Sequence, residues 1–480
     1  MDMYDLTLYE RLKRGSDTFG ERTLFTYQKE ERIVTVSFRE FFKDVRKMAY
    51  GLEERHLKGK CVVIEGKTQY ESMVALCATV VTGAVAAVLN FDLPEEEIAY
   101  AMECLAPAMI ICSEDNYDVA EPYRKETVAC LVFEGEVENT ETIFDWLKDR
   151  ETLYEYTGDQ KPEDPAIVLM TSGSTSKSKL VLLSQYAFLP AFETYAEKNI
   201  LLFPMHHVAG TAVLATAIAN GVQLCLSDMR DGLYAMEWFK PEAMVAVPAF
   251  ISCVVDRVKK NLLDISELKY VTSVGAPQNL ESTQYLESVG IFASSAYGAT
   301  ETGGAVSAAS PERCRYGSVG QKKPWNEVQI SETGEILVKG KNVMLEYVGD
   351  PEETKAALKD GWYYSGDIGY FDEDGYLYLT GRVKNVIVLS NGENVSPEAI
   401  ESQLYLCPEI EEVIVCGEDD TLVGQVWCGK IADEALQKEV ERYIKQYNRN
   451  VPSYRCIRKI VFRETPFAKS ASGKIKRNEN

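Results

Sequence analysis

The run SMVALCATVVTGAVAAVLNF, residues 72–91, is uncharged and matches the about 20 residues a bilayer-spanning helix needs, so its reading decides what kind of chain this is. Its content favours a buried core over a membrane. Ala and Val dominate, Thr79, Thr82 and Asn90 interrupt the run, and Gly83 stands where a helix ends and a strand, AVAAVL, begins. The alternation continues with PEEEIAYAMECL as a helix and AMIIC as a strand, then a helix through VLATAIAN, Gly221 and the strand VQLCLS. Repeated βα units imply an α/β fold of sheets with helices packed on them. At 480 residues and 46% apolar content the chain exceeds one compact core, which predicts at least two domains.

The charge pattern places a boundary. Lys384 to Asn480 holds 14 basic and 15 acidic residues, a net of -1, so the first 383 residues carry -22 of the total of -23. The division expected is a large domain over 1–383 and a small α+β lid domain over 384–480. Such acidity argues against nonspecific nucleic-acid or anionic-membrane binding. Twelve cysteines lack any CxxC pair and residues 1–20 lack a signal-peptide pattern, which reads as reduced thiols in a cytoplasm.

Four clusters carry chemistry. TSGSTSKSKL (171–180) packs six hydroxyl side chains and two lysines behind the apolar run AIVLM, a polar loop at a strand end that could hold phosphate oxygens. In SAYGATETGG (295–304), Tyr297 could lie against a flat base, Thr300 could bond a phosphate oxygen, and Glu301 could hold a hard cation such as magnesium. In WYYSGDIGYFDEDGYLYLTGR (362–382), Asp367 and Arg382 flank a predicted hairpin, where a carboxylate and a guanidinium could grip ribose hydroxyls. Lys474 follows a SASG turn in PFAKSASGKIKR. Each cluster alone is also ordinary polar surface.

In this order the clusters resemble the motifs of the adenylate-forming superfamily, whose members include acyl-CoA synthetases, peptide-synthetase adenylation domains and firefly luciferase. TSGSTSKSK is similar to the family's phosphate loop, PMHHVAG to its PLFHVxG segment and VGAP (274–277) to its GGAP segment. YGATE matches YGxTE outright, YSGDIG with LTGRVK resembles the TGD and GRxK pair, and SASGKIKR resembles xxxGKxxR.

The resemblance implies a two-step ligase. A carboxylate and ATP would form an acyl-adenylate and pyrophosphate, and a thiol of CoA or of a carrier protein's phosphopantetheine would then take the acyl group. Carried over motif by motif, ATP falls to Thr171, Ser172, Gly173, Ser174, Thr175, Lys179, Gly275, Ala276, Pro277, Ala296, Tyr297, Gly298, Thr300, Asp367 and Arg382. Thr171 and Glu301 become magnesium partners. Lys474, with Glu301 and Thr300, becomes the catalytic group, and His207, Gly275 and Ala299 line the acyl pocket. Lys384 falls on the hinge about which the small domain rotates, and Ser390, Asn391 and Gly392 fall on the thiol tunnel.

Departures from the pattern also matter. Ser176, Ser178 and Leu180 stand where the family has Gly, Pro and Gly, which implies a phosphate loop with fewer accessible shapes. No aspartate stands in PMHHVAG to pair an α-ammonium group, so an aryl or fatty acid fits better than an amino acid, and His206 stands where many relatives have Phe. Three readings remain: an AMP-forming acid–CoA ligase, an enzyme loading a carrier protein, and a weakened homologue that only binds nucleotide.

Overall fold

The computed structural model describes residues 3–477 except 125–128, 136, 138, 139, 150, 172–177, 193–195, 277, 278, 391, 392, 419, 470–474 and 476. The uncharged run becomes the helix Tyr70–Val81, Gly83 at φ +76° and the strand Val85–Leu89. Every residue from Ser72 to Val81 is buried, and so is every residue from Val208 to Ile218 in the helix Val208–Asn220. Helices apolar on all faces must be covered on all sides, which explains sequences rich in small residues. Among the described residues no helix is long and apolar enough to cross a membrane.

The chain divides into two compact units, Met1–Glu327 with Val338–Tyr363, and Val328–Leu337 with Tyr364–Asn480. The boundary read from charge, 383/384, falls inside the second unit. The physical reason is backbone pairing: Asp367, Ile368 and Gly369 face Arg382, Gly381 and Leu379 in an antiparallel ladder that ties 364–371 to the strand leading into the C-terminal region.

Two sheets build the first unit. In one, Cys61–Glu65 lies between Val85–Leu89 and Met109–Cys112, parallel to both, so the chain crosses from one side of this strand to the other. The helix Tyr70–Val81 packs on Cys61–Glu65 and Val85–Leu89. Beyond Val85–Leu89 come Pro165–Thr171, then Lys179–Ser184 and the short edge strand Glu346–Tyr347. The second sheet runs, in spatial order, Gly304–Ala308, Phe292–Ala299, Tyr270–Ser273, Ala243–Ala246, Lys198–Leu201, Gln223–Leu226, Thr23–Lys29, with an edge strand at each end. Its central strands are parallel, and Val208–Asn220 packs on Lys198–Leu201, Gln223–Leu226 and Gly304–Ala308.

Local signals set the helix starts. Thr7 with Glu10, and Ser37 with Glu40, form reciprocal capping boxes ahead of Leu8–Phe19 and Phe38–Glu53. The second unit packs Pro397–Leu404 and Glu434–Arg449 around a three-stranded sheet of Glu412–Glu418, Thr421–Trp427 and Ile457–Phe462. Its core joins Ile400, Leu404, Val413, Val415, Val440 and Ile444.

Candidate active site

Thr171 closes the strand Pro165–Thr171 directly opposite Lys179, which opens Lys179–Ser184 in an antiparallel pair. Of the expected phosphate loop, Ser172, Gly173, Ser174, Thr175 and Ser176 lie outside the described residues. Leu180 does not belong to a loop. It pairs with Met170, and its side chain is 1% exposed in a core with Val168, Ile98 and Met102. The expectation that Leu180 restricts the loop by replacing a glycine is therefore corrected: a strand position facing the core favours a large apolar residue.

The YGATE segment reaches the same place from the other sheet. Phe292–Ala299 runs into the 3-10 turn Thr300–Thr302, which packs against both Pro165–Thr171 and Lys179–Ser184. Buried Thr302 locks this turn: its Oγ1 accepts from Ala299 N at 3.0 Å and donates to Gly304 O at 2.9 Å. Asn342 Nδ2 donates to Thr302 O at 2.5 Å, and Met344 N donates to Glu301 O at 2.7 Å. Gly298 must lack a side chain, since a Cβ there would meet Gly304 O at 2.0 Å. Tyr297 is buried beside it, and Thr300, Ala299 and Glu301 are half-buried at the turn.

Tyr347 connects the two segments. Its hydroxyl donates to Glu301 Oε1 at 2.9 Å, and Lys179 Nζ sits 4.6 Å from its ring centroid while pairing with Glu353 Oε2 at 2.5 Å. Burial, reinforced by the Glu301 charge, pushes the Tyr347 hydroxyl far above the usual tyrosine range, so it stays protonated as the donor. Among the described residues, nothing engages Glu301 Oε2. A carboxylate with one oxygen held and one left is an oxygen donor of the kind a hard divalent cation takes. Ser178 Oγ bonds Glu97, an interaction the family's proline could not make.

At the carboxyl ends of the parallel strands, Gly275 and Ala276 follow Tyr270–Ser273 and are exposed, and Gly275 takes φ +84°, which favours glycine. Ala296 lies on the neighbouring strand, and Pro277 is outside the described residues. Ligands in open α/β sheets gather at such edges. His207 caps Val208–Asn220, its Nδ1 accepting from Ala209 N at 3.1 Å, and stacks on Phe203 with ring centroids 5.0 Å apart. His206 packs against Gly66, and burial lowers its pKa to about 4, so it is neutral at ordinary pH.

In the second unit Asp367 and Arg382 meet as a register pair, with Arg382 Nε 2.7 Å from Asp367 Oδ1. Asp367 is further seated by Ser365, whose Oγ accepts from Asp367 N at 3.1 Å and donates to Ile336 O at 2.7 Å. Lys384 comes two residues later, its pKa lowered by burial and by the nearby Arg382 charge. Ser390 N donates to Asp420 Oδ1 at 2.6 Å, while Asn391 and Gly392 lie outside the described residues.

Lys474 too lies outside the described residues, but its flanks are anchored. Ile475 bridges to Lys469 and packs on the cluster of Ile414, Trp427 and Phe467. Lys469 pairs with buried Glu412, which also accepts from Phe467 N at 2.7 Å. Arg477 pairs with buried Glu401 and donates to Val415 O at 3.3 Å. Sequence reasoning gave no role to Tyr347, Glu353, Glu401 or Glu412; Glu353 lies in the acidic run DPEET, and nothing in that run specifies Lys179 as a partner.

Comparison with known proteins agrees with this geometry. Residues 12–348 match the AMP-binding enzyme family and residues 384–480 match the AMP-binding enzyme C-terminal domain. The chain is 28% identical over 456 residues to an indoleacetate–CoA ligase of Aromatoleum aromaticum, covering 87% of each. It is 26% identical over 470 residues to a 2-succinylbenzoate–CoA ligase of a Geobacillus species, covering 92% of each. In structure it resembles an anthranilate CoA ligase in complex with anthranoyl-AMP, at TM-score 0.86 and 20% identity over 99% of this chain and 96% of that one. It also resembles the o-succinylbenzoate coenzyme A synthetase of Bacillus subtilis in complex with ATP and magnesium, at TM-score 0.78 and 22% identity over 99% of each. The YGATE turn packed on the hairpin of Pro165–Thr171 and Lys179–Ser184, a paired Asp367 and Arg382, and two family matches in chain order lead to one conclusion: the chain belongs to the AMP-binding enzyme family, within the adenylate-forming superfamily.

Proposed function

We propose that the chain is an AMP-forming carboxylic acid–CoA ligase, joining an acid to ATP as an acyl-adenylate with release of pyrophosphate, then passing the acyl group to the thiol of CoA with release of AMP. The observation that carries this reading is the packing of the Thr300–Thr302 turn against both Pro165–Thr171 and Lys179–Ser184, with Tyr347 touching Glu301 and Lys179 alike. That CoA ligases are prominent among the relatives supports the thiol acceptor.

A carboxylate is a weak nucleophile and the α-phosphate is ringed by negative oxygens, so the first step needs positioning and charge neutralisation more than a base. In this reading Lys179 and Thr300 take phosphate oxygens, and Ser172, Gly173, Ser174 and Thr175 supply further donors. Thr171 and Glu301 would hold magnesium, which supplies positive charge against the triphosphate. Gly275, Ala276 and Pro277, with Ala296, Tyr297 and Gly298, receive the adenine, and Asp367 with Arg382 holds the ribose hydroxyls. Lys474 takes a carboxylate oxygen and the α-phosphate. His207 and Ala299 border the acyl group; because His207 Nδ1 already accepts a backbone proton, its Nε2 carries the ring's own proton in the neutral form. Lys384 serves as hinge, and Ser390, Asn391 and Gly392 border the thiol.

The test is pyrophosphate release over a panel of aryl, medium-chain and long-chain acids, with free CoA or a carrier protein as acceptor. Thioester on free CoA is the expected result. Thioester on the carrier protein alone would replace CoA as acceptor, and ATP binding without pyrophosphate release from any acid would overturn the ligase reading.

A further inference from the structure

Lys179 and Glu301 stand 122 positions apart in sequence, one opening a strand and the other in a 3-10 turn, and a single side chain touches both. Tyr347 is 4% exposed, lies opposite Val181 on the edge strand, and has its backbone N bonded to Thr354 Oγ1 at 2.9 Å. Leu345 N and Val348 N donate to Leu182 O and Leu180 O, each at 2.8 Å, so the strand that carries Tyr347 is sewn to the strand that opens with Lys179.

We propose that Tyr347 is a positioning residue for the triphosphate end of the site, fixing the Glu301 carboxylate through its hydroxyl and the Lys179 ammonium through its ring before ATP arrives. The proposal rests on the reading of Glu301 as a metal partner and Lys179 as a phosphate partner. The hydroxyl takes Oε1 at 2.9 Å and so fixes the carboxylate, leaving Oε2 for another partner. The ring presents its negative face to the ammonium, and the Glu353 carboxylate gives that ammonium a second partner. Holding both groups in place lowers the ordering cost when metal and phosphate bind.

The experiment reads metal binding without turnover. Mn2+ is titrated into the full chain by water-proton relaxation, with a saturating nonhydrolysable ATP analogue and no acid. Tyr347→Phe keeps the ring and removes the donor to Glu301. It should raise the half-saturating Mn2+ concentration roughly tenfold, the usual scale for a hydrogen bond to a charged group, with affinity for the metal-free analogue unchanged. Glu301→Gln should lose at least as much, and the double variant no more than Glu301→Gln alone, because the two act as one unit. Tyr347→His, which retains a ring and a donor, should restore part of the affinity and serves as the second variant if Tyr347→Phe melts early. Half-saturation within twofold of wild type in Tyr347→Phe, or losses that multiply in the double variant, overturns the proposal. A wild-type protein that binds the analogue but no Mn2+ overturns it together with the metal reading of Glu301. Tight Mn2+ binding in a wild type that releases no pyrophosphate fails the ligase reading and leaves the Tyr347 role standing.

Discussion

Arg382 Nε lies 2.7 Å from Asp367 Oδ1, across a register pair of the hairpin that joins Trp362–Phe371 to Leu377–Arg382. The two ends differ in exposure: the Asp367 side chain is 12% exposed and that of Arg382 is 47%. The arginine thus covers a carboxylate that has largely left water. Arg382→Ala should remove one of the contacts that direct that carboxylate and raise the ATP KM by about tenfold, the scale of one charge-assisted hydrogen bond discounted for the exposed partner. Arg382→Lys keeps the charge but not the planar fork, and should fall between. A KM within twofold of wild type in Arg382→Ala would remove the ribose role.

Leu180 and Ser176 separate by their places in the chain. Because Leu180 fills a core with Val168 and Ile98, Leu180→Gly should act on stability, costing about 3–5 kcal/mol from the cavity and the added backbone freedom. Ser176→Gly alone should lower the ATP KM by widening the conformations open to the loop. Thermal melting of the first variant and initial-rate kinetics of the second check this. A Leu180→Gly protein that melts like wild type would contradict its core position.

How far the fold and the site were legible in sequence depends on the range of each interaction. The uncharged run, the Gly221 stop and the DEDG turn are local signals, and each sits as its residues imply: Gly221 is left-handed after Asn220, and Asp372 Oδ1 accepts from Asp374 N and Tyr376 N within the turn. The pairing of Asp367 with Arg382 was legible because a hairpin brings near neighbours together. Tyr347 with Glu301 is 46 residues apart and Lys179 with Glu353 is 174 apart, so no turn or period predicts them. Leu180 misled for another reason: motif alignment compares letters, whereas the strand boundary between Thr171 and Lys179 is set by ladder pairing.

His206 gives a pH dependence with a definite sign. Burial lowers its pKa from the ordinary 6.5 to about 4, so the unfolded chain takes up a proton that the folded chain refuses between those values. The stability associated with neutral His206 is complete above pH 6.5 and lost as pH falls through about 4, a change of up to about 3 kcal/mol. His206→Asn should remove this component, so the stability difference between wild type and variant should vary with pH only in that window. Chemical denaturation at pH 7, 5.5 and 4 measures it, and a constant difference would show that His206 titrates normally.

Arg477 anchors the described segment that follows Lys474 in the chain. Arg477, three residues on, pairs with the 9%-exposed side chain of Glu401, donates to Val415 O at 3.3 Å and lies 3.7 Å from Glu398 Oε1. Glu401 in turn accepts from Val415 N at 2.6 Å, so the arginine docks the chain terminus on both the helix Pro397–Leu404 and the strand Glu412–Glu418. Burial raises the pKa of Glu401 despite this partner, so removing the arginine strands a carboxylate that is already costly to ionise. Arg477→Met should therefore destabilise the second unit by about 3 kcal/mol. Trp427 reports it by fluorescence, because it packs with Phe467 and Ile475 beside the same segment. Adenylate formation should fall at least about tenfold although Lys474 is intact, because a lysine on an undocked segment loses its positioning. Lys474→Ala, by comparison, should lose roughly 10² to 10³ in rate with the Trp427 transition unchanged. Arg477→Met combined with Glu401→Leu replaces the ion pair by an apolar one and should recover most of the stability. If adenylation recovers with it, docking alone is what Arg477 contributes; if Arg477→Met changes neither the Trp427 transition nor pyrophosphate release, the anchor has no part in placing Lys474.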